Sequence, residues 1–370
     1  FAPNSQLHMN IELCPYTVNK RFALTISRGT SSQNQNLAVG ITADNITGWG
    51  EAVPFTIGTQ VQSFDLITTA LNQIIPHLAA YHPLQRQAIE SLMNACQLPS
   101  AARAAIDLAL YDWLGKSVGL PLWKLWGLER EKIVPISVTV GINTPDGARA
   151  RIRGWLEVFE ARFLKIKLGN PLGIGADREM MLAIKDEMPT AKLTVDANGG
   201  WNLADATVDA NGGWSLEDAI YMSQWLADLG VEYLEQPLAR GDEAQLVELK
   251  QASQLPIFAD ESCFTSRDIP GLVDKVDGIN IKLMKSGGLT EAMRMIHTAR
   301  AHDLQVMFGC YSDTVLANTA AAQLSPLADY LDLDSHLNLL DDPFVGAKLI
   351  DGRLIPGDLP GLGIDRTSQF

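Results

Sequence analysis

The stretch Phe163-Leu164-Lys165-Ile166-Lys167-Leu168 decides how this chain reads. It is an apolar run of strand length, broken by two lysines two residues apart, and residues two apart face the same side of a strand. A helix-length segment follows at 174–187, then a second apolar run over 192–196 that ends on Asp196. This strand–helix–strand rhythm repeats from about residue 133. Strand candidates lie at 134–140, 163–168, 192–196, 232–235, 256–260, 278–283, 305–309 and 329–333, with further helix-length segments at 215–229, 243–252 and 289–302. Eight apolar strands with helical crossovers predict an α/β fold of the TIM-barrel type. A doubly wound sheet shares the rhythm and is the alternative.

Upstream, the pattern differs. Alternation over 10–27 and 37–44 predicts antiparallel strands, closed by Gly48-Trp49-Gly50-Glu51. Helices are expected near 62–80, 84–96 and 99–115, the last with a small-residue face at Ala101, Ala105, Leu108 and Leu110. Pro121 and Gly127 punctuate the passage to the barrel. The expected division is an α+β unit over 1–130, a barrel over 131–340, and a Gly- and Pro-rich tail over 341–370 that returns to the first unit.

With 370 residues, the chain is long enough for two domains, and 46% hydrophobic with 19% charged residues is a globular composition. A net charge of −14 argues against nucleic acid or an anionic membrane as a partner. No stretch has the length and purity of a membrane-spanning helix, and Phe1-Ala2-Pro3-Asn4 does not read as a signal peptide. Cys14, Cys96, Cys263 and Cys310 contain no Cys-x-x-Cys pair, so the expectation is a reduced, cytoplasmic protein.

The chemistry-bearing residues sit at strand ends. Asp196, Glu235 and Asp260 close three successive strand candidates. A single Asp there is commonly a helix N-cap, but that account covers one of them better than all three. Three carboxylates at one barrel mouth repel, and a divalent cation such as Mg²⁺ resolves the repulsion. Lys165 and Lys167 project together, so each disfavours protonation of the other and one gains the lowered pKa of a general base. Lys282, within Gly278-Ile279-Asn280-Ile281-Lys282, would be expensive to bury without a partner. Lysines from opposite strands could exchange a proton on either face of one carbon, as a racemase or epimerase requires. Asp332 and Asp334 lie on one face of the last strand and could bind an ammonium group. Lys20, Arg21 and Arg28 could meet a substrate carboxylate, and Ser27, Gly29 and Thr30 around Arg28 suit a covering loop.

One repeat complicates the site. Residues 195–207 are followed by a near-copy over 208–220, so Asp196 and Asp209 compete as the metal ligand. The first copy follows a credible strand, which favours Asp196 with an inserted loop over about 202–214. Ser215 is the expected N-cap of the next helix.

Lys-x-Lys, Asp-Ala-Asn, Glu-Gln-Pro, Ala-Asp-Glu-Ser, Asn280-Ile-Lys-Leu-Met-Lys285-Ser-Gly-Gly and Asp332-Leu-Asp334 together resemble the enolase superfamily. The resemblance runs from about Met9 to Gly363 and is nearest to the dipeptide epimerases of the muconate-lactonizing subgroup, of the L-Ala-D/L-Glu epimerase kind. It implies a modified (β/α)₇β TIM barrel under an N-terminal capping domain completed by the C-terminal tail. It also implies Lys167 and Lys282 as acid/base catalysts and Lys165 as an electrostatic aid that contacts the substrate carboxylate. Asp196, Glu235 and Asp260 then look like Mg²⁺ ligands, and Asp332 with Asp334 like the clamp for a dipeptide's ammonium group. Thr139 and Cys310 fall at substrate-contacting positions, and Arg28 falls one residue from the family's basic residue for an acidic side chain.

That family has one Asp-Ala-Asn copy. Asp196 lies 29 residues after Lys167 and Asp209 lies 26 before Glu235, so each copy satisfies one of the family's spacings. The expected partner is a dipeptide such as L-Ala-Glu from peptidoglycan turnover, with a homo-oligomer allowed. The rivals are an o-succinylbenzoate synthase or cycloisomerase, disfavoured by the Asp-x-Asp pair, and an acid-sugar dehydratase, disfavoured by Gly309-Cys310-Tyr311 where a histidine base would stand. A dipeptide-binding scaffold inactivated by the repeat is the non-enzyme reading.

Overall fold

The computed structural model describes residues 9–26, 29–197 and 214–367. Asn10–Ile26 (β1), Gly29–Ala43 (β2) and Ile46–Ala52 (β3) form an antiparallel sheet in that order. Asp44 and Asn45, at φ 50° and 60°, turn β2 into β3, a conformation these residue types tolerate. Strand β2 begins eight residues before the sequence expectation, because its polar first half pairs with β1 over 29–31 and 33–36. That half lacks an apolar face, so alternation could not reveal it.

A hairpin of Phe55–Ile57 (β4) and Gln60–Gln62 (β5) leads to helices Phe64–Leu78 (α1), Arg86–Ala95 (α2), Ser100–Val118 (α3) and Leu122–Leu125 (α4). The small-residue face of α3 lies directly on β3. A Cβ at Gly48 would stand 2.1 Å from the Ala109 carbonyl oxygen, and one at Gly50 1.9 Å from that of Ala105. Only glycine permits this backbone-to-backbone approach.

Eight parallel strands follow, hydrogen-bonded in chain order: Val138–Val140 (β6), Phe163–Lys167 (β7), Lys192–Asp196 (β8), Val231–Glu235 (β9), Ile257–Ala259 (β10), Gly278–Ile281 (β11), Gln305–Phe308 (β12) and Tyr330–Leu331 (β13). The sheet curls until the segment before β6 meets the last strand. Ile136 bridges Leu331, and Ser137 N donates to the Leu331 carbonyl at 2.8 Å. Crossover helices are Pro145–Val158 (α5), Ile174–Glu187 (α6), Leu216–Asp228 (α7), Leu246–Ala252 (α8), Leu283–Ser286 with Leu289–Ala301 (α9, α10) and Val315–Leu324 (α11). Ser215 caps α7 as expected, accepting from Asp218 N.

The barrel is modified between β10 and β11, where the described crossover carries a short 3₁₀ turn at Ile269–Gly271 and no α-helix. Asp268 Oδ2 there accepts from Phe264 N, Thr265 N and Thr265 Oγ1. Side-chain acceptance of this kind favours turns over helix, and Pro270 inside the turn removes a backbone donor.

Strand alternation stacks the barrel interior in layers. Tyr233, Phe258, Met307 and Tyr330 form an apolar layer, with Tyr233 4.7 Å from both the Phe258 and Tyr330 ring centroids. Two residues onward along three of these strands stand Glu235, Asp260 and Asp332. The aromatic layer is thus the floor on which the acids rest.

The chain's last part pairs Phe344–Val345 (β14) with Asp365–Arg366 (β17), around a hairpin of Lys348–Ile350 (β15) and Arg353–Ile355 (β16). It also reaches the N-terminal helices: Leu362 N donates to Asp112 Oδ1 at 2.8 Å and Leu122 N to the Gly361 carbonyl at 3.1 Å. Buried Glu51 of β3 ties the N-terminal sheet to the barrel. Its carboxylate accepts from Tyr16 Oη, from Asn36 Nδ2 at 2.8 Å, and from Thr314 N and Oγ1 at 3.2 and 2.9 Å. Thr314 is in turn the N-cap of α11.

Candidate active site

The parallel register sets the strand ends level. Lys167 pairs with Asp196 and Asp196 with Glu235, so these side chains emerge at one height. Carboxylate oxygens of Asp196, Glu235 and Asp260 lie within 4.8 Å of one another, all three residues buried. This donor set, all hard oxygen and anionic, fits a small divalent cation. Glu235 Oε2 also makes no aligned hydrogen bond, although Lys165 Nζ is 2.6 Å away.

Four lysines surround the trio. Lys165, fully buried, approaches Glu235 at 2.6 Å, Asp332 Oδ2 at 2.8 Å and Asp196 at 3.4 Å. Lys167 donates to Asp196 Oδ2. Lys282 Nζ donates to Asp260 Oδ2 at 2.6 Å. Lys285 spends all three of its protons on buried acceptors: the Asp260 carbonyl at 2.5 Å, Asp260 Oδ1 at 2.6 Å and the Asn280 carbonyl at 3.0 Å. Lys285 had no assigned role in the sequence reading. Nothing local marks it, since Lys282, Ser286 and two glycines flank it; its partners come from two strand ends.

The electrostatics correct the expected lowering for Lys165. Burial opposes the charge on Lys165, but Asp332, Glu235 and Asp196 outweigh it and push its pKa well above the ordinary value. Burial likewise opposes Lys282, and Asp260 outweighs it in the same direction. Neighbouring carboxylates therefore dominate over lysine–lysine repulsion, which the sequence reading put first. Asp196 and Asp260 resist burial through their lysines and stay below the usual carboxyl range. Glu235 is raised to about 7 by burial and by Asp196 beside it.

Asp332 and Asp334 stand just beyond β13, which is shorter than expected. Ser137 Oγ donates to Asp332 Oδ1 at 3.0 Å, and Thr139 N to Asp334 Oδ2 at 2.7 Å. Lys165 balances the charge of Asp332. Asp334 has no such partner among the described ion pairs and is raised to about 7 by burial and by Asp332. Cys310 Sγ lies 3.9 Å from Asp334 Oδ1, and burial with that carboxylate raises the thiol's pKa.

A cavity of about 470 Å³ opens over these groups, lined by Thr139, Lys167, Asp260, Lys282, Cys310, Asp332 and Asp334. Its other wall mixes apolar Leu24, Ile26, Pro54, Phe55 and Tyr311, the last two rings stacked 4.6 Å apart, with polar Lys20, Thr30, Ser31 and Asn34. Lys165, Asp196 and Glu235 do not line the cavity; they lie buried beneath it. Lys20 lines it, whereas Arg21 is exposed elsewhere. Arg28 and Asp209 lie outside the described residues.

Gln236 also serves the site unforeseen. It holds a left-handed backbone at φ 40°, unusual for a side chain of its size. Its Oε1 accepts from Asp260 N at 2.9 Å and Ser262 N at 3.1 Å, which cross-links the ends of β9 and β10.

Two family descriptions match the chain. Residues 10–127 match the mandelate racemase / muconate lactonizing enzyme N-terminal domain, and residues 205–369 match the enolase C-terminal domain-like family. The second match begins after Asp196 and includes Asp209, whereas the structure sets Asp196 beside Glu235 and Asp260. A hydrophobic dipeptide epimerase from Roseobacter litoralis is 44% identical, with 96% of this chain and 98% of that protein covered. One from a Flavobacteria bacterium (strain MS024-2A) is 42% identical, with 96% and 97% covered. The crystal structure of a dipeptide epimerase from Cytophaga hutchinsonii, complexed with Mg and D-Ala-L-Val, superposes with a TM-score of 0.89 at 27% identity, covering 99% of this chain and 97% of that one.

Proposed function

We propose, for a chain that belongs to the mandelate racemase / muconate lactonizing enzyme family of the enolase superfamily, the activity of a Mg²⁺-dependent dipeptide epimerase. It is an isomerase that inverts the α-carbon of the C-terminal residue of a dipeptide. The observation that carries this reading is the placement of Lys167 and Lys282 on strands four apart in an eight-stranded barrel, both lining one cavity above three convergent carboxylates.

Asp196, Glu235 and Asp260 would hold the metal, and Asp196 rather than Asp209 completes the trio. Mg²⁺, when bound, supplies a Lewis acid that draws charge from the substrate carboxylate and makes the α-proton acidic. Lysine chemistry does the rest. One of Lys167 and Lys282 removes the α-proton, charge passes into the carboxylate as an enediolate, and the other lysine returns a proton to the opposite face. Lys165, buried under the cavity, stabilises that charge through space, and Thr139 and Cys310 line the substrate's path. Asp332 and Asp334 hold the free ammonium group, which supports a dipeptide over an N-acylated or ring substrate.

The apolar patch of Leu24, Ile26, Phe55 and Tyr311, with the likeness to two hydrophobic dipeptide epimerases, supports a hydrophobic side chain. Lys20 in the same wall offers a partner to an acidic one such as that of L-Ala-L-Glu. Arg28 remains the residue to test for acidic substrates. The likeness to L-Ala-D/L-Glu epimerases supports a role in the turnover of peptidoglycan-derived dipeptides, and four free cysteines suit a cytoplasmic location. The division at about residues 130 and 340 into cap, barrel and returning tail completes the reading. Incubating an L,L-dipeptide library with the protein and Mg²⁺, then resolving the hydrolysed residues by chiral chromatography, tests it. D-residues at the C-terminal position are expected; inversion at the N-terminal position, or none, would refute it.

A further inference from the structure

Strand β1 loses register with β2 between Asn19 and Leu24, leaving residues 20–23 unpaired in the sheet. That stretch is held by the barrel instead. Asn338 Oδ1 accepts from Phe22 N at 2.8 Å, and Asn338 Nδ2 donates to the Phe22 carbonyl at 2.8 Å, so one amide reproduces both bonds of a strand pair. Arg151 donates to the Ala23 carbonyl at 2.8 Å and lies 4.7 Å over the Phe22 ring. Phe22 meets Trp155 edge-on at 5.4 Å, and a Cβ at Gly154 would stand 2.8 Å from its ring.

We propose that Asn338, with Gly154 and Arg151, is a positioning element for substrate selectivity: it pins Phe22 so that the strap of β1 presents Lys20, Leu24 and Ile26 to the dipeptide's side chain. The proposal rests on the dipeptide reading of the cavity. Phe22 itself does not line the cavity, while the three strap residues do; Asn338 and Arg151 also reach its wall, whereas Gly154 does not and so perturbs the pin alone. Asn338 also ends the turn Ser335–Asn338 that starts directly after Asp334. The ammonium clamp and the strap's anchor are therefore joined by one short turn.

Two variants attack the pin from opposite sides. Asn338→Asp keeps the acceptor for Phe22 N but sets an oxygen against the Phe22 carbonyl. Gly154→Ala pushes the Phe22 ring away from within a helix, where alanine is the better helix former. Steady-state epimerisation of L-Ala-L-Leu and L-Ala-L-Ala, with folding checked by circular dichroism, gives the readout. Both variants should raise KM for L-Ala-L-Leu on the order of tenfold, with kcat changed far less and the preference over L-Ala-L-Ala narrowed. Unchanged KM and preference in either folded variant would overturn the pin, as would a fall in kcat alone. Wild-type protein that epimerises neither these nor any member of a wider L,L-dipeptide library would sink the underlying reading instead, and this proposal with it.

Discussion

Lys167 and Lys282 each touch one member of the acidic trio, and neither shares its carboxylate with the other. Two bases on separate strands predict separable defects. K167A and K282A should each lower epimerisation by about 10²–10⁴-fold, while each still exchanges the α-proton of one diastereomer and not the other. Exchange of both diastereomers by either variant would contradict the two-base account. Asp196 and Asp209 divide just as sharply. D196N should weaken Mg²⁺ binding by more than the roughly 10–100-fold cost of losing an outer hydrogen-bond partner, and D209N should leave it unchanged by calorimetry. Asp334 sets a pH dependence. Held up to about 7, it is increasingly protonated below that pH and cannot then pair with an ammonium group. KM for a dipeptide should fall as pH rises through about 7, and D334N should abolish that dependence.

At the scale of elements, apolar periodicity located every barrel strand, because a strand buried on both faces must be apolar along its length. It located α6 at Ile174–Glu187 to the residue. It failed where neighbours rather than local sequence decide the structure: the polar half of β2, the helix-free crossover after β10, and strand ends that unwind to present Asp332 and Asp334. Site residues with a charged group inside an apolar run were legible. Lys285 and Gln236 were not, since their roles depend on carbonyls and amides brought together from two strands. The tandem repeat yields an element-scale prediction. Deleting residues 196–208 joins Val195 to Asp209 and places that Asp 29 residues after Lys167, with Ser215 kept as the cap of α7. The deleted protein should fold and bind Mg²⁺ through Asp209; loss of metal binding by this protein would argue that the duplicated segment is integral to the site.

Across the whole molecule, the N-terminal sheet and barrel meet at buried carboxyls. Glu51 is satisfied by four donors, but Asp313 and Asp342 nearby are raised to about 8 and about 7 by burial. An unfolded carboxyl loses its proton near pH 4, so between that pH and these values the folded state binds more protons. Stability therefore falls as pH rises through the window. His336, lowered to about 4 by burial, acts oppositely below its ordinary value of 6.5. The carboxyls consequently govern the slope above about pH 6.5. Without added metal, Tm should decline from pH 6.5 to 8.5. D313N should flatten that decline and raise Tm at pH 8 on the order of 2 °C. A steeper decline in D313N would contradict the assignment.

The most direct test of the account is ¹H NMR of the protein with Mg²⁺ and L-Ala-L-Leu in D₂O. The α-proton signal of the C-terminal leucine should disappear as the L,D diastereomer appears, with the alanine α-proton untouched. A folded, Mg²⁺-binding protein that leaves the leucine α-proton in place, with this substrate and across a wider dipeptide library, would contradict it.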